Sequence, residues 1–175
     1  MAWKTSKSAS AGEIGPEWFD EQEFSGLSVY GMIFELLDNS LEHRVKTPKH
    51  SPLEIIVQVV QSKKNKMEAD VIRVVDNGAG MPKKIIPKAF SPYGMAQYYS
   101  SDPDALSEHG MGMKKALRGL GSTHKIITKQ AKKPAWKIET DDIRYMPTKT
   151  PPTLESNAAF TFNEHTYDHG TCIEI

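Results

Sequence analysis

The chain has 175 residues, enough for one domain with a real core. Its 22 basic and 22 acidic residues cancel, so net charge points to neither a nucleic acid nor a membrane surface as partner. The single cysteine, Cys172, excludes a disulfide within the chain and a cysteine-based zinc site.

No apolar run approaches the ~20 residues of a membrane helix, and the opening "MAWKTSKSAS" lacks the apolar stretch of a signal peptide. A reduced, soluble, intracellular protein is expected. Residues 1–25 mix Ser, Gly, Glu and Pro and are expected to form an arm outside the core, with the domain proper over 26–175.

Val29, Met32, Ile33, Leu36, Leu37 and Leu41 recur at helical spacing and predict a helix. Within it lies "FELLDNSLEH", residues 34–43, with three carboxylates and an amide. Glu35, Asn39 and Glu42 stand at i, i+4 and i+7 and share one stripe, while Asp38 points off it. A salt-bridged surface helix is the plain alternative. The Pro-containing "TPKHSP" ends this unit.

"LEIIVQVV" (53–60) and "VIRVVD" (71–76) are rich in β-branched residues and predict strands, joined by a solvated loop whose lysines read as a surface feature. After "DNGAGMP" a short helix is expected near 82–90, and then a long loop over 91–109. "MGMKKALRGL" (111–120) predicts a helix opening just after a glycine. "HKIITK", "AWKIET" and the terminal "TCIEI" predict strands, with one more at "AFTF" inside the Pro-rich and polar stretch 141–169. Helices alternating with a largely antiparallel sheet predict a two-layer α/β sandwich.

Two glycine-containing stretches carry chemistry. In "VVDNGAGMP", Asp76 closes an apolar strand and Gly78 and Gly80 follow; a tight turn alone also explains Asp-Asn-Gly. A dinucleotide-binding fingerprint would need a third glycine where Lys83 stands, and no Walker-A loop occurs. In "EHGMGMKKAL", Gly110 and Gly112 would let backbone amides approach an anion at a helix N-terminus, with Lys114 and Lys115 adding charge. The alternative is a glycine-softened helix start. The histidines form no HExxH pattern, and His43 and His50 read as surface residues.

In this order, "ELLDNS", "DNGAGM", "HGMGMKKA" and "GTCIEI" resemble the boxes of the GHKL superfamily of ATPases, named for gyrase, the heat-shock chaperone, histidine kinases and MutL. The resemblance covers about residues 27–175 and implies the Bergerat fold, a mixed, largely antiparallel sheet covered on one face by helices. It further implies ATP and Mg2+ as cofactors. Glu35 would be the general base toward the water that attacks the γ-phosphate, and Asn39 would be a magnesium ligand. Asp76 would accept the N6 amino hydrogen of adenine, with Gly78, Gly80 and Met81 along the base and sugar and Thr171 in support. Gly110, Met111, Gly112, Met113 and Lys114 would surround the phosphates, and 91–109 would be the ATP lid. Glu42 departs from the family, which often has Asp there, and His43 replaces a usual small residue.

"GMGMK" together with "ELLDNS" is most similar to MORC-type ATPases and their bacterial relatives, with the chaperone second; a MutL-type lid carries an Arg-Gly-Glu signature that is missing. Such proteins dimerise when ATP binds, which implies a homodimer with residues 1–25 as an exchanged arm, and a transducer domain expected after Ile175 that brings a lysine to the γ-phosphate. The resemblance leaves DNA, chromatin or a client protein open as downstream partner, in a cytoplasmic or, in a eukaryote, nuclear setting. A nucleotide-responsive dimerisation module with negligible turnover is the competing reading.

Overall fold

The computed structural model describes residues 4–5, 28–42, 52–66, 68–86, 112–140, 155–157 and 159–175. In chain order these hold β1 (Lys4–Thr5), α1 (Val29–Glu42), β2 (Ile55–Gln61), β3 (Ala69–Asp76), α2 (Gly112–Leu120), β4 (His124–Lys129), β5 (Ala135–Thr140), β6 (Glu155–Asn157), β7 (Phe160–Phe162), β8 (His165–Tyr167) and β9 (Gly170–Glu174). The main sheet has the order β1-β6-β5-β4-β9-β3-β2, and β7 and β8 form a separate hairpin. Every ladder is antiparallel. Arm, lid and the 141–154 stretch fall outside the described residues, apart from Lys4–Thr5, which pairs with β6.

Helix α1 starts where Ser28 caps it: its hydroxyl accepts the Gly31 N–H at 3.2 Å and its carbonyl accepts the Met32 N–H at 3.0 Å. The buried residues Met32, Leu36 and Ser40 recur every fourth position, so one stripe faces the sheet. Helix α2 buries Met113, Lys114, Ala116 and Leu117. Its last carbonyls are satisfied by a side chain, since His124 Nε2 donates toward Leu117 O at 2.8 Å and Gly121 O at 2.9 Å.

Strand register sorts the sheet residues by face, because directly opposed residues point the same way. Val74, Ile173, Ile126 and Ile138 line up across β3, β9, β4 and β5 and pack against Met32, Leu36, Met113, Ala116 and Leu117 of the helices. On the reverse face the hairpin lays Phe160 and Tyr167, stacked at 5.1 Å, over Val75, Cys172 and Ala135. Alongside runs a bonded polar row: Arg73 donates to Gln58 Oε1 at 2.8 Å and to Glu174 Oε2 at 2.5 Å, and Lys125 donates to Glu174 Oε1 at 2.7 Å.

The expected two-layer arrangement is present, with both described helices on one face. The "AFTF" strand is β7, whose partner β8 the sequence reading missed. Its turn, Asn163–Glu164, has both residues at positive φ (46° and 65°), the backbone of a two-residue hairpin without the usual glycine. Within 82–86 the chain makes a turn, Ile85 N–H to Pro82 O at 2.8 Å, and the rest of the helix expected near 82–90 lies outside the described residues. Among the described residues no helix is long and apolar enough to cross a membrane.

Candidate functional site

The site lies between the two helices and one row of the sheet. Ile55, Asp76, Thr171, Thr128 and Trp136 stand directly opposite one another across β2, β3, β9, β4 and β5, on the helix face. The loop after Asp76 crosses the sheet along this row. The Gly78 N–H donates to Asp76 Oδ1 at 2.8 Å, the Met81 N–H donates to Thr128 Oγ1 at 2.7 Å, and Lys83 Nζ stands 4.2 Å from the centre of the Trp136 ring. Gly80, at φ +69°, leaves room for the Lys129 carbonyl, into which any Cβ would run. The glycine at 80 is therefore demanded by the crossing itself, before any ligand is considered.

Asp76 is 7% exposed. Its second oxygen, Oδ2, accepts the Ser40 hydroxyl from α1 at 3.0 Å, and the Thr171 backbone N–H contributes a further bond. Burial raises the Asp76 carboxyl above the usual carboxylate range, against the pull of Gly78, Ser40, Thr171 and the nearby His169. An ionised carboxylate has about four acceptor positions, and three chain donors leave it able to take one more. This leaves a buried carboxylate with acceptor capacity beyond its own chain's donors.

Thr171 touches Asp76 through its backbone, while its hydroxyl lies 3.1 Å from that of Thr128. Thr128 is fully buried and also lies 3.1 Å from the Gly170 carbonyl, so it ties Met81, Gly170 and Thr171 together. Gly170, at φ +139°, leaves no space for a side chain because the Asp76 carbonyl fills it. His169 Nδ1 donates to the Gly78 carbonyl at 2.8 Å and pins the turn from the other side.

Above the row, α1 presents Glu35 and Asn39, and Asp38 is exposed away from them, as its spacing predicted. The Asn39 Nδ2 donates to the Glu35 backbone carbonyl at 2.5 Å. Glu35 Oε2 occupies the space where a Cβ on Gly112 would stand, so the first residue of α2 and this carboxylate are in direct contact. Carboxylates are favoured at helix N-termini.

Lys114 is 2% exposed, and burial lowers its ammonium to about 8. The Met113 side chain belongs to the core, and Met81 packs against it. Gly110 and Met111 lie outside the described residues. Glu35, Asn39, Asp76, Gly78, Gly80, Met81, Gly112, Met113, Lys114 and Thr171 are thus gathered on the helix face of the sheet. Sequence reasoning missed Ser40, Thr128 and His169. Ser40 stood inside the quoted "ELLDNS", one residue past Asn39 and on the core stripe.

Over residues 27–171 the chain matches the family described as histidine kinase-, DNA gyrase B-, and HSP90-like ATPase. It belongs to that family. No curated protein matches it. As a GHKL domain it has ATP as its expected nucleotide, and Asp76, Gly78, Gly112 and Thr171 all lie inside the matched span.

Proposed function

We propose that this GHKL domain binds Mg-ATP and hydrolyses it slowly, using the change to close and dimerise a larger MORC-like protein. The observation that carries the reading is the buried Asp76 carboxylate, held by Gly78, Ser40 and Thr171 with acceptor capacity left over. Adenine offers a donor at N6; guanine would set its O6 acceptor against the carboxylate.

Glu35 is the general base, held against the start of α2 at Gly112. Asn39 fits magnesium: its nitrogen is committed to the Glu35 carbonyl, and its oxygen is the hard donor that remains. Magnesium, when bound, neutralises developing charge on the phosphates. The residues of this chain orient the nucleotide, hold the base carboxylate and receive the proton of the attacking water at Glu35.

In this reading Gly110, Met111, Gly112, Met113 and Lys114 surround the phosphates. In it, Lys4–Thr5 keeps its pairing with β6 of its own chain while the rest of the N-terminal arm crosses the dimer, a lysine from a transducer domain meets the γ-phosphate, and the setting is cytoplasmic or nuclear. The test is titration with ATP, ADP and GTP beside a phosphate-release assay. Adenine-selective binding with slow release supports the ATPase. Tight ATP binding without release would make the domain a nucleotide-responsive dimerisation module. Equal affinity for GTP would remove the role of Asp76.

A further inference from the structure

Strand β2 is the outermost strand of the main sheet at its end of the order, and its sequence, IIVQVVQ, contains no charged residue. Natural sheets blunt such edges with charges, prolines or bulges. Here the one irregularity is a bulge between Val60 and Gln61, after six regular residues, Ile55–Val60. Val57, Val59 and Val60 are 42%, 56% and 37% exposed.

The phase of the free edge can be read from one bond. The Asn77 N–H donates to the Glu54 carbonyl at 3.2 Å, so Glu54, Ile56, Gln58 and Val60 turn their backbone groups toward β3. Val57 and Val59 therefore turn theirs outward. Among the described residues no strand pairs with them.

We propose that this edge pairs, antiparallel, with β2 of a second copy about a two-fold axis through Gln58. The strand is nearly a palindrome about that residue: the axis sets Val57 against Val59, Ile56 against Val60 and Gln58 against itself. Val57 and Val59 become hydrogen-bonded pairs, which their outward phase requires, and Gln58 becomes the central non-hydrogen-bonded pair. Shifting the axis to Val57 would oppose Glu54 to Val60, and shifting it to Val59 would oppose Lys63 to Ile55. Only the Gln58 axis matches like with like.

Charge agrees at both ends. The axis carries Glu54 of one copy toward the turn that holds Lys63, Lys64 and Lys66 in the other. On the helix face, Val59 borders a groove of ≈ 1040 Å³ shared with Val29, Tyr30, Ile33 and Leu120, and the axis sets two such grooves side by side. A five-residue ladder with exposed valines is small against the ~800 Å² per partner of a stable interface, so the dimer is weak, with a Kd on the order of 10–100 µM. It forms without nucleotide, since no residue of the ladder belongs to the nucleotide site, and it is separate from the ATP-driven dimer above.

Gln58→Cys tests the register. A non-hydrogen-bonded pair holds its Cα atoms about 4.5 Å apart, within disulfide range. The native Cys172 is buried with its thiol pushed up to about 12, so it does not compete. Under mild oxidation at about 100 µM protein, Gln58→Cys should give mostly cross-linked dimer. Val60→Cys, which the axis places roughly 13 Å from its own copy, should give little. Independently, sedimentation of the wild type without nucleotide should show concentration-dependent dimer that Val59→Lys abolishes while ATP affinity stays unchanged. A wild type that stays monomeric at several hundred micromolar overturns the proposal. So does Val60→Cys cross-linking as fast as Gln58→Cys, or a nucleotide-free dimer that Val59→Lys leaves intact.

Discussion

Gly112 and Glu35 share one space: the carboxylate Oε2 lies where the glycine's side chain would begin. Gly112 thus bears on the part of α1 that carries the proposed base. Gly112→Ala should be mild for the fold, because Gly112 is the first residue of α2 and the displaced atoms are the far end of a flexible side chain. The cost falls on the chemistry. A base moved by about 1 Å is expected to slow hydrolysis on the order of a hundredfold. Single-turnover phosphate release beside thermal unfolding measures both; unchanged turnover would show that the contact is only packing.

Glu35→Ala and Asn39→Ala should separate turnover from binding. The first removes the proposed base and leaves the metal ligand, so ATP stays bound and hydrolysis is lost. The second should weaken Mg-ATP while affinity measured in excess chelator changes little. Calorimetry with and without magnesium reads the difference, and identical affinities for the wild type in the two conditions would dismiss Asn39 as a ligand.

Asp76→Asn should cost ATP and ADP alike, since both carry adenine. The amide can keep its oxygen on the Gly78 N–H and give its NH2 to the Ser40 hydroxyl, which donates to the Leu36 carbonyl instead, so the loss falls on the acceptor position proposed for adenine. A lost charge-assisted bond with an unpaired buried group costs about 2–4 kcal/mol, on the order of a hundredfold or more in affinity. Stability carries a second signature. Burial raises the folded-state carboxyl above its unfolded value of 3.8, so the folded state binds more protons across that window. Wild-type stability should therefore fall as pH rises from about 4 through the raised folded value, and Asp76→Asn should remove that part of the slope. Full ADP affinity in the variant would return "DNGAG" to a simple turn.

Lys114 makes the opposite prediction at alkaline pH. Its ammonium is lowered from 10.5 to about 8 by burial, so the folded state releases its proton first. Stability should rise between pH 8 and 10.5, by roughly 3 kcal/mol across the whole window. Lys114→Met should flatten that rise in chemical denaturation series. If Lys114 serves the phosphates, the same variant should weaken ATP more than adenosine; equal losses would assign it to packing alone.

Local signals were enough for α1, α2, β2, β3, β4, β5 and β9: apolar residues at helical spacing for α1, a glycine just before the start of α2, and β-branched runs for β2 and β3. The amphipathic stripe likewise put Glu35 and Asn39 together and Asp38 apart, since spacing along one helix is local geometry. The boxes pointed to Asp76 and the glycines through residue type alone. Tertiary structure decided what joins across distance. Ser40 reaches Asp76, 36 residues on, only because α1 packs over the end of β3. Thr128 became the tie between loop and sheet only when β4 fell beside β9, a neighbour 42 residues away. The pairing of Gly112 with Glu35 depends on how the two helices meet, and the outer place of β2 among the described strands depends on the order of the sheet. A residue's periodicity shows which face it occupies; what stands opposite that face is set by strand order and helix packing, which no local spacing records.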